Sequence, residues 1–393
     1  MRKIDKKPDF MLSEMLEQPR ITDSIFNDIN LKNIGNIMLE SDIKRIYFTG
    51  SGDSYCASWF GSNLAINWRP EFYIQHYAPF EFVNYLNPKL LKNSVVIGIS
   101  VSGNTPRVIE AIRFAQKHKA QTIGITDNPQ GKVAQESNFT LYTHTSPPET
   151  LETSSYVSEG ARDYIGYHHD VAQTKTYFAN LAVQSVFLAY LSQEKKSTLN
   201  QVKQAFQLVK KAVNQRNYFL SIFNNLSSTV DNVIFVSSGP NGPTGLFGAY
   251  KMYEFTLNGF ACDIEEYCHT KYFITTGKSL VIFIASDSSS FDRILEIEPV
   301  IRDIINAETI ILVNSNLLNN KAANYILIET PKVNVLSPLV YTIPIEFFSY
   351  SLAKNKGFDT NQFRGGQETE KYVSGSYRTI RQSKIHYSFF NGK

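Results

Sequence analysis

Glu254 stands three residues after Lys251 in the run Ala249-Tyr-Lys-Met-Tyr-Glu254, and His269 closes the run Glu265-Glu-Tyr-Cys-His269. If the first run is helical, Lys251 and Glu254 share a face. Such a pair can be an ordinary exposed ion pair that contributes little. Shielded from water, the carboxylate can instead hold its proton tightly enough to move protons near neutral pH. His269 exchanges protons in that range by nature, or fills a structural place; Glu266, three residues earlier, either orients it or stands in solvent. A second group of residues suits anion binding. Gly50-Ser-Gly-Asp-Ser54 and Ser100-Val-Ser-Gly-Asn-Thr105 are loops of small residues and hydroxyls, and Pro106 follows the second one at a position fit to begin a helix. Free N–H groups, the positive end of a helix and several hydroxyls make a cradle for a phosphate dianion. One such loop reads as caps and turns. Two at adjacent strand ends point to a ligand.

The elements that would position these residues occur twice. Ile46-Tyr-Phe-Thr-Gly-Ser-Gly52 is echoed by Val233-Ile-Phe-Val-Ser-Ser-Gly239, and Ser94-Val-Val-Ile-Gly-Ile-Ser100 by Ser279-Leu-Val-Ile-Phe-Ile-Ala285. Ala120-Gln-Thr-Ile-Gly-Ile-Thr126 returns as Ala307-Glu-Thr-Ile-Ile-Leu-Val313, and Asn138-Phe-Thr-Leu-Tyr142 as Asn324-Tyr-Ile-Leu-Ile328. Each echo follows its original by about 186 residues. The segments are short, continuous apolar runs, as expected of parallel strands buried on both faces. Between them Pro106 to Lys119 reads as an amphipathic helix, with Val108, Ile109, Ile112 and Ala115 on one face. The expected fold is α/β: two tandem doubly wound parallel sheets, each flanked by helices in three layers. The division expected is an entry helical segment over 1–31, a first repeat over 32–192, a polar linker helix over 193–214, a second repeat over 215–356 and a tail over 357–393. In such sheets ligands sit beyond the carboxyl ends of the strands, where both Ser-rich loops fall.

Composition excludes several classes. A net charge of +3 is spread along the 393 residues without a concentrated basic face, so nucleic acid is not an expected partner. No apolar run approaches the ~18 residues of a membrane span. The charged start, Met1-Arg-Lys-Ile-Asp-Lys-Lys7, lacks the apolar region of a secretory signal. Cys56, Cys262 and Cys268 fit no zinc or disulfide spacing, which suits reduced thiols in the cytoplasm. Neither G-x-G-x-x-G nor a P-loop follows a suitable strand, and no cofactor or metal is expected. His168-His169-Asp170 makes a poor metal site because adjacent side chains diverge.

At Ser100-Val-Ser-Gly-Asn-Thr105 the chain resembles the sugar isomerase (SIS) family, whose phosphate loop reads Ser-x-Ser-Gly-x-Thr. With its duplication it is similar to double-SIS proteins, such as the isomerase domains of glucosamine-6-phosphate synthases and the SIS-type glucosamine-6-phosphate deaminases. The likeness runs from about Met11 to Arg364 and includes Met11-Leu-Ser-Glu-Met-Leu-Glu-Gln-Pro19, Val171-Ala-Gln-Thr-Lys175, Ser337-Pro-Leu-Val-Tyr-Thr-Ile-Pro344 and Gly357-Phe-Asp359. The resemblance implies that Ser54, Ser100, Ser102 and Thr105 hold a sugar phosphate, with N–H groups of Val101 and Gly103. Val171 and Gln173 belong to the substrate site by the same likeness. It further implies that Glu254 shuttles a proton between C1 and C2, beside Lys251, and that His269, donated by a neighbouring subunit of a homodimer, opens the sugar ring.

Several features depart from the family. No glutaminase domain or N-terminal nucleophilic cysteine is present in the chain, so ammonia is not expected to come from glutamine through it. Val101 stands where the family has Gln. Asp53 replaces a small hydroxyl, which sets a carboxylate near the phosphate unless it is paired or turned away. The stretch 146–170 is longer than the family needs and suits a lid. In the tail Arg364 is followed by Gly365-Gly366, and Lys371 is the nearest stand-in for the family's closing lysine. The aromatic and basic stretch beyond it suits packing on a partner subunit or over the site. The expected activity is aldose–ketose isomerisation or deamination of a hexose or hexosamine 6-phosphate. A sugar-phosphate sensor without catalysis is the alternative.

Overall fold

The computed structural model describes residues 9–145, 172–226, 229–318 and 324–386. The repeated apolar runs form strands in two parallel five-stranded sheets. The first contains β1 (Arg45–Gly50), β2 (Tyr73–Tyr77), β3 (Ser94–Ile99), β4 (Gln121–Thr126) and β5 (Phe139–Tyr142), in the order β2-β1-β3-β4-β5. The second contains β6 (Asn232–Ser237), β7 (Asn258–Cys262), β8 (Ser279–Ala285), β9 (Glu308–Asn314) and β10 (Tyr325–Ile328), and has the same topology, β7-β6-β8-β9-β10. The central strands are buried along their length: every residue of β3 and of β8 is buried. Helices cover both faces, so each repeat is a doubly wound three-layer α/β unit.

The echo in the sequence omits β2 and β7. Tyr-Ile-Gln-His-Tyr and Asn-Gly-Phe-Ala-Cys are edge strands with mixed burial rather than continuous apolar runs. Each pairs with only one neighbour, and no unbroken apolar stretch announces it.

The repeats share one interior. A single hydrophobic cluster runs from Met11 and Met15 through Ile46 and Phe48 to Phe235, Phe347 and Phe348. Helices Lys175–Leu191 and Pro338–Asn355 are buried almost all round, as apolar helices at the centre of a large molecule should be. The second of these, with the turn before it from Asn334, is long and apolar enough to cross a membrane, which no apolar run in the sequence suggested; 94% of its most apolar stretch is buried inside the protein. Tyr177 stacks on Phe247 across the join, with ring centroids 3.9 Å apart. The helix Ile29–Leu39 runs across residue 31, where the sequence divides an entry segment from the first repeat. The stretch 193–214 contains a helix, Lys195–Asn214, whose Val202, Phe206 and Val209 pack into the shared cluster.

Candidate functional site

In a sheet of order 2-1-3-4-5 the chain reverses direction between β1 and β3, and the loops after those strands open a crevice there. A cavity of about 470 Å³ occupies this position. Ser51, Gly52, Asp53 and Ser54 line it from the loop after β1, and Ser100, Val101, Ser102 and Thr105 from the loop after β3. Thr105 is the N-cap of the helix Pro106–Lys117, yet its side chain makes no capping bond. Its hydroxyl lies 2.8 Å from that of Ser100. The N–H groups of Val101 and Ser102 carry no hydrogen bond among the described residues, and neither does the hydroxyl of Ser54. These are donors waiting at the positive end of a helix.

The structure redistributes one role within this loop. The Gly103 N–H, expected at the phosphate, donates to the Ser100 carbonyl at 2.9 Å and closes the turn, leaving the Ser102 N–H free instead. Gly103 itself does not line the cavity. Its φ of +68° and the nearby Gly131 explain the residue type, because a Cβ there would meet the Gly131 Cα at 2.9 Å.

Glu254 reaches the same cavity from the second repeat, at the end of the helix Gly242–Glu254. Lys251 lies behind it, with a fully buried side chain. Its Nζ donates to Glu254 Oε2 at 2.7 Å, to Asp53 Oδ2 at 2.9 Å and to the Gln173 carbonyl at 3.0 Å. Asp53 is therefore paired, which removes the objection to a carboxylate beside the phosphate loops. Burial pushes the Glu254 pKa up; Lys251 opposes that, Asp53 reinforces it, and the result is about 7. For Lys251, burial works to lower the pKa, but the adjacent Asp53 and Glu254 charges outweigh it and leave the ammonium held above its ordinary value. A carboxyl that titrates near neutrality, with its charge held by a permanent cation, has the properties of a general base.

The segment before the helix Lys175–Leu191 joins these parts. Glu14, buried on the helix Phe10–Phe26, accepts bonds from the N–H groups of Thr174 and Lys175 at 3.1 and 3.3 Å. This fixes Gln173, which lines the cavity and offers its carbonyl to Lys251. Val171, the 146–170 stretch and His168-His169-Asp170 lie outside the described residues. Among the described residues no cluster of three or more His, Cys, Asp or Glu side chains is placed to hold a metal.

Two expected residues stand apart from the cavity within one chain. His269 stands exposed at the end of the helix Ile264–His269, whose Ile264 and Tyr267 are buried, and no hydrogen bond joins Glu266 to it. Lys371 projects from the helix Thr369–Ser376 into solvent, paired with Glu368 at 3.3 Å. The cation that the tail brings to the cavity is Arg381 instead. Its guanidinium donates to the Ser102 hydroxyl, and Ile380 lines the cavity beside it. The following residues anchor this segment: the carbonyl of Lys384 accepts from Arg107, and the His386 N–H donates to Glu110. The basic, aromatic composition of the tail suited packing on a partner subunit or over the site, and did not tell which cation would arrive. Thr176, Tyr177 and Asn180 also line the cavity without any mark in their local sequence, as do Tyr250 and Tyr253, which flank Lys251 in the run already singled out.

Comparison with known proteins agrees with this geometry. Residues 41–161, within the first repeat, match the SIS domain model. The chain is homologous to the isomerase portion of glutamine–fructose-6-phosphate aminotransferases. It is 24% identical over 371 residues to the isomerizing enzyme of that name from Aquifex aeolicus, covering 92% of this chain and 57% of that protein. The chain thus spans a little over half the length of such relatives. Among solved structures, the C-terminal domain of glucosamine-fructose-6-phosphate aminotransferase from Francisella tularensis superposes with a TM-score of 0.74 at 18% identity, covering 90% of this chain and 98% of that one. Glucosamine-6-phosphate deaminase from Thermotoga maritima superposes with a TM-score of 0.59 at 16% identity, over 88% and 95%. These two likenesses establish the fold.

Proposed function

We propose that the chain is a phosphosugar aldose–ketose isomerase or deaminase acting on a hexose or hexosamine 6-phosphate. The observation that carries this reading is the meeting of two chemistries in one cavity: helix-end donors from the first repeat and the Lys251-supported Glu254 from the second. The phosphate sits against Ser54, Ser100, Ser102, Thr105 and the Val101 and Ser102 N–H groups, and Arg381 supplies a compensating cation. Glu254 takes the proton from C2 of the open-chain aldose and returns it to C1, while O1 gains the proton that O2 loses, so the C1 carbonyl becomes a hydroxyl and C2 becomes the carbonyl carbon. With an amino group at C2 the same transfer yields an imine. Water hydrolyses it to ammonia and the ketose. The printed names of the relatives, which concern fructose 6-phosphate and glucosamine 6-phosphate, support this substrate class.

In this reading the working unit is a homodimer, in which His269 opens the sugar ring in the partner's cavity. The exposure of His269 and of the apolar Phe273 (78%) and Ile274 (42%) beside it supports that arrangement. The unpaired thiols of Cys56, Cys262 and Cys268 suit a reducing, cytoplasmic setting.

The test is to incubate wild type and Glu254→Gln with glucosamine 6-phosphate and with glucose, mannose and fructose 6-phosphates, following ammonia and the product sugars. We expect turnover by wild type and a loss of about 10²–10⁴-fold in kcat for the variant, with binding retained. Tight binding with no turnover by wild type on any sugar would replace this reading with that of a sugar-phosphate sensor.

A further inference from the structure

The helix Phe10–Phe26 precedes both repeats, and the chemistry proposed above makes no use of it. Its Glu14 is 5% exposed, and Oε2 of that side chain meets the start of the helix Lys175–Leu191. It accepts from the Thr174 N–H at 3.1 Å, the Thr174 hydroxyl at 3.2 Å and the Lys175 N–H at 3.3 Å. Thr174 is the N-cap of that helix, yet its own side chain makes no capping bond. A carboxylate 160 residues away in the chain takes that place. Capping would be the whole of its role but for the residue before the cap. Gln173 gives its carbonyl to Lys251 at 3.0 Å, and its side chain accepts from the Thr176 hydroxyl at 3.0 Å. An ammonium has three protons to donate, and those of Lys251 go to Glu254, Asp53 and this carbonyl. Glu254 and Asp53 are carried by their own helices. The position of the third acceptor depends instead on what fixes the turn at residues 173–175.

We propose that Glu14 is a positioning residue for the base: by anchoring Thr174 and Lys175 it aims the Gln173 carbonyl at Lys251, and through Lys251 it keeps Glu254 aligned for proton transfer. This inference rests on the proposed reaction and extends it to a helix outside both repeats. The charges around Glu254 separate this role from capping. Burial raises the Glu254 pKa most, Lys251 pulls it down, and the negative charges of Asp53 and, least, of Glu14 push it up, to about 7. Arg381 of the tail lines the same cavity. Glu346, on the helix Pro338–Asn355, accepts from Gln18, one turn beyond Glu14. Burial pushes the Glu346 carboxyl well above the ordinary range, so it adds no charge near neutral pH. Glu14 therefore acts on Glu254 in two ways of opposite sign. Its charge raises the pKa, whereas its anchorage of the Gln173 carbonyl strengthens the hold of Lys251, which lowers it.

The experiment compares wild type, Glu14→Gln and Glu14→Ala, with Glu14→Leu in place of the last should it fail to fold. All remove the charge, but only Glu14→Gln keeps an oxygen that can accept from the Thr174 N–H. The titration of Glu254 is followed by its infrared carboxyl absorption, assigned with Glu254→Gln. Turnover of the best hexose or hexosamine 6-phosphate from the panel above, calorimetric binding of inorganic phosphate and melting temperature are measured alongside, with kcat taken at a pH above all the titrations. In Glu14→Gln the Glu254 titration should move about half a unit below that of wild type, with kcat within about threefold. In Glu14→Ala it should lie about half a unit above that of Glu14→Gln, and kcat should fall about 10-fold while KM and phosphate affinity stay within about twofold. A role in capping alone would lower the melting temperature of Glu14→Ala and leave the two variants with the same Glu254 titration. Equal titrations, or a kcat loss no larger in Glu14→Ala than in Glu14→Gln, would overturn the inference. If wild type turns over none of the sugars, the proposed reaction fails, and the infrared titrations still decide whether Glu14 governs the Lys251–Glu254 pair.

Discussion

The two repeats share a topology but treat the helix start after their central strand in opposite ways. In the first, the helix Pro106–Lys117 begins at Thr105 with no side-chain cap, and the helix Asp53–Trp68 begins at Gly52, which has no side chain to offer. In the second, the helix Ser288–Asp303 is capped by Asp287, whose carboxylate accepts from the Ser290 N–H at 2.9 Å and from its hydroxyl at 3.1 Å. Asn241, the N-cap of the helix Gly242–Glu254, makes no capping bond; its side-chain amide donates instead to the hydroxyls of Ser286 and Ser337. An internal carboxylate thus occupies in the second repeat the kind of position that the first leaves open to an external anion. The asymmetry runs the other way for proton chemistry. The last turns of the helix Asp53–Trp68 read Leu64-Ala-Ile-Asn-Trp68, without an acid or base, whereas its counterpart ends in Lys251 and Glu254. Duplication supplied two equal frames; in the proposed reading one serves as the anion clamp and the other carries the base.

The sharpest way to break this comparison is to give the first repeat the second's solution. Thr105→Asp places a carboxylate at the open N-cap, and should lower the affinity for sugar phosphate and inorganic phosphate by about 100-fold or more while leaving the melting temperature unchanged or raised. Calorimetric titration decides it, and retained affinity would mean that the anion binds elsewhere.

The bond between the repeats offers a second, smaller effect. Burial raises the Glu254 pKa most, and the Asp53 charge adds to it against the pull of Lys251. Asp53→Asn removes the added negative charge and leaves Lys251 to Glu254 alone. The acid limb of the kcat/KM profile, which the raised Glu254 pKa is expected to set, should move to lower pH by about one unit. The sign for stability is also fixed. Glu254 keeps its proton in the folded state to about 7, whereas in the unfolded chain it loses it near 4.3, the ordinary value. Its contribution is therefore fully present below the unfolded value and is lost as pH rises through the folded one. Asp53→Asn should narrow that window, as seen in melting temperatures taken between those pH values.

The smallest effect is the converse of the first. Asp287→Ala removes a cap from the second repeat and should lower stability by about 1 kcal/mol. Sugar-phosphate affinity should not change, since no phosphate is assigned to that loop. Chemical denaturation alongside titration checks both halves, and a marked loss of affinity would show that the two repeats are not divided in this way.

Much of this division was legible in the residues. The four echoed runs predict β1, β3, β4 and β5 and their counterparts, because strands covered on both faces must be apolar throughout. The Ser-rich loops are legible because hydroxyls and glycine directly after such strands have few other uses. β2 and β7 were not, since each starts at an exposed residue, buries only one position, and lacks an unbroken apolar run. Lys251 and Glu254 could be paired from their spacing, but not distinguished from a surface ion pair.

That distinction depends on burial, and burial here comes from contacts between residues far apart in the chain. Asp53 and Lys251 meet across 198 residues and Arg381 and Ser102 across 279. Glu14 holds the start of the helix Lys175–Leu191 from 160 residues away. Local sequence carries periodicity, caps and loop chemistry, because these depend on neighbours a few bonds away. It does not carry the docking of two sheets through a common core. The sequence by itself determined the two frames and the Ser-rich loops at their strand ends. Only the tertiary structure decided that the loops of one frame and the base of the other share a cavity, that Arg381 rather than Lys371 reaches it, and that Asp53 is paired rather than opposed to the phosphate. The physical reason is that proton affinity and hydrogen-bond satisfaction are set by what surrounds a group in space.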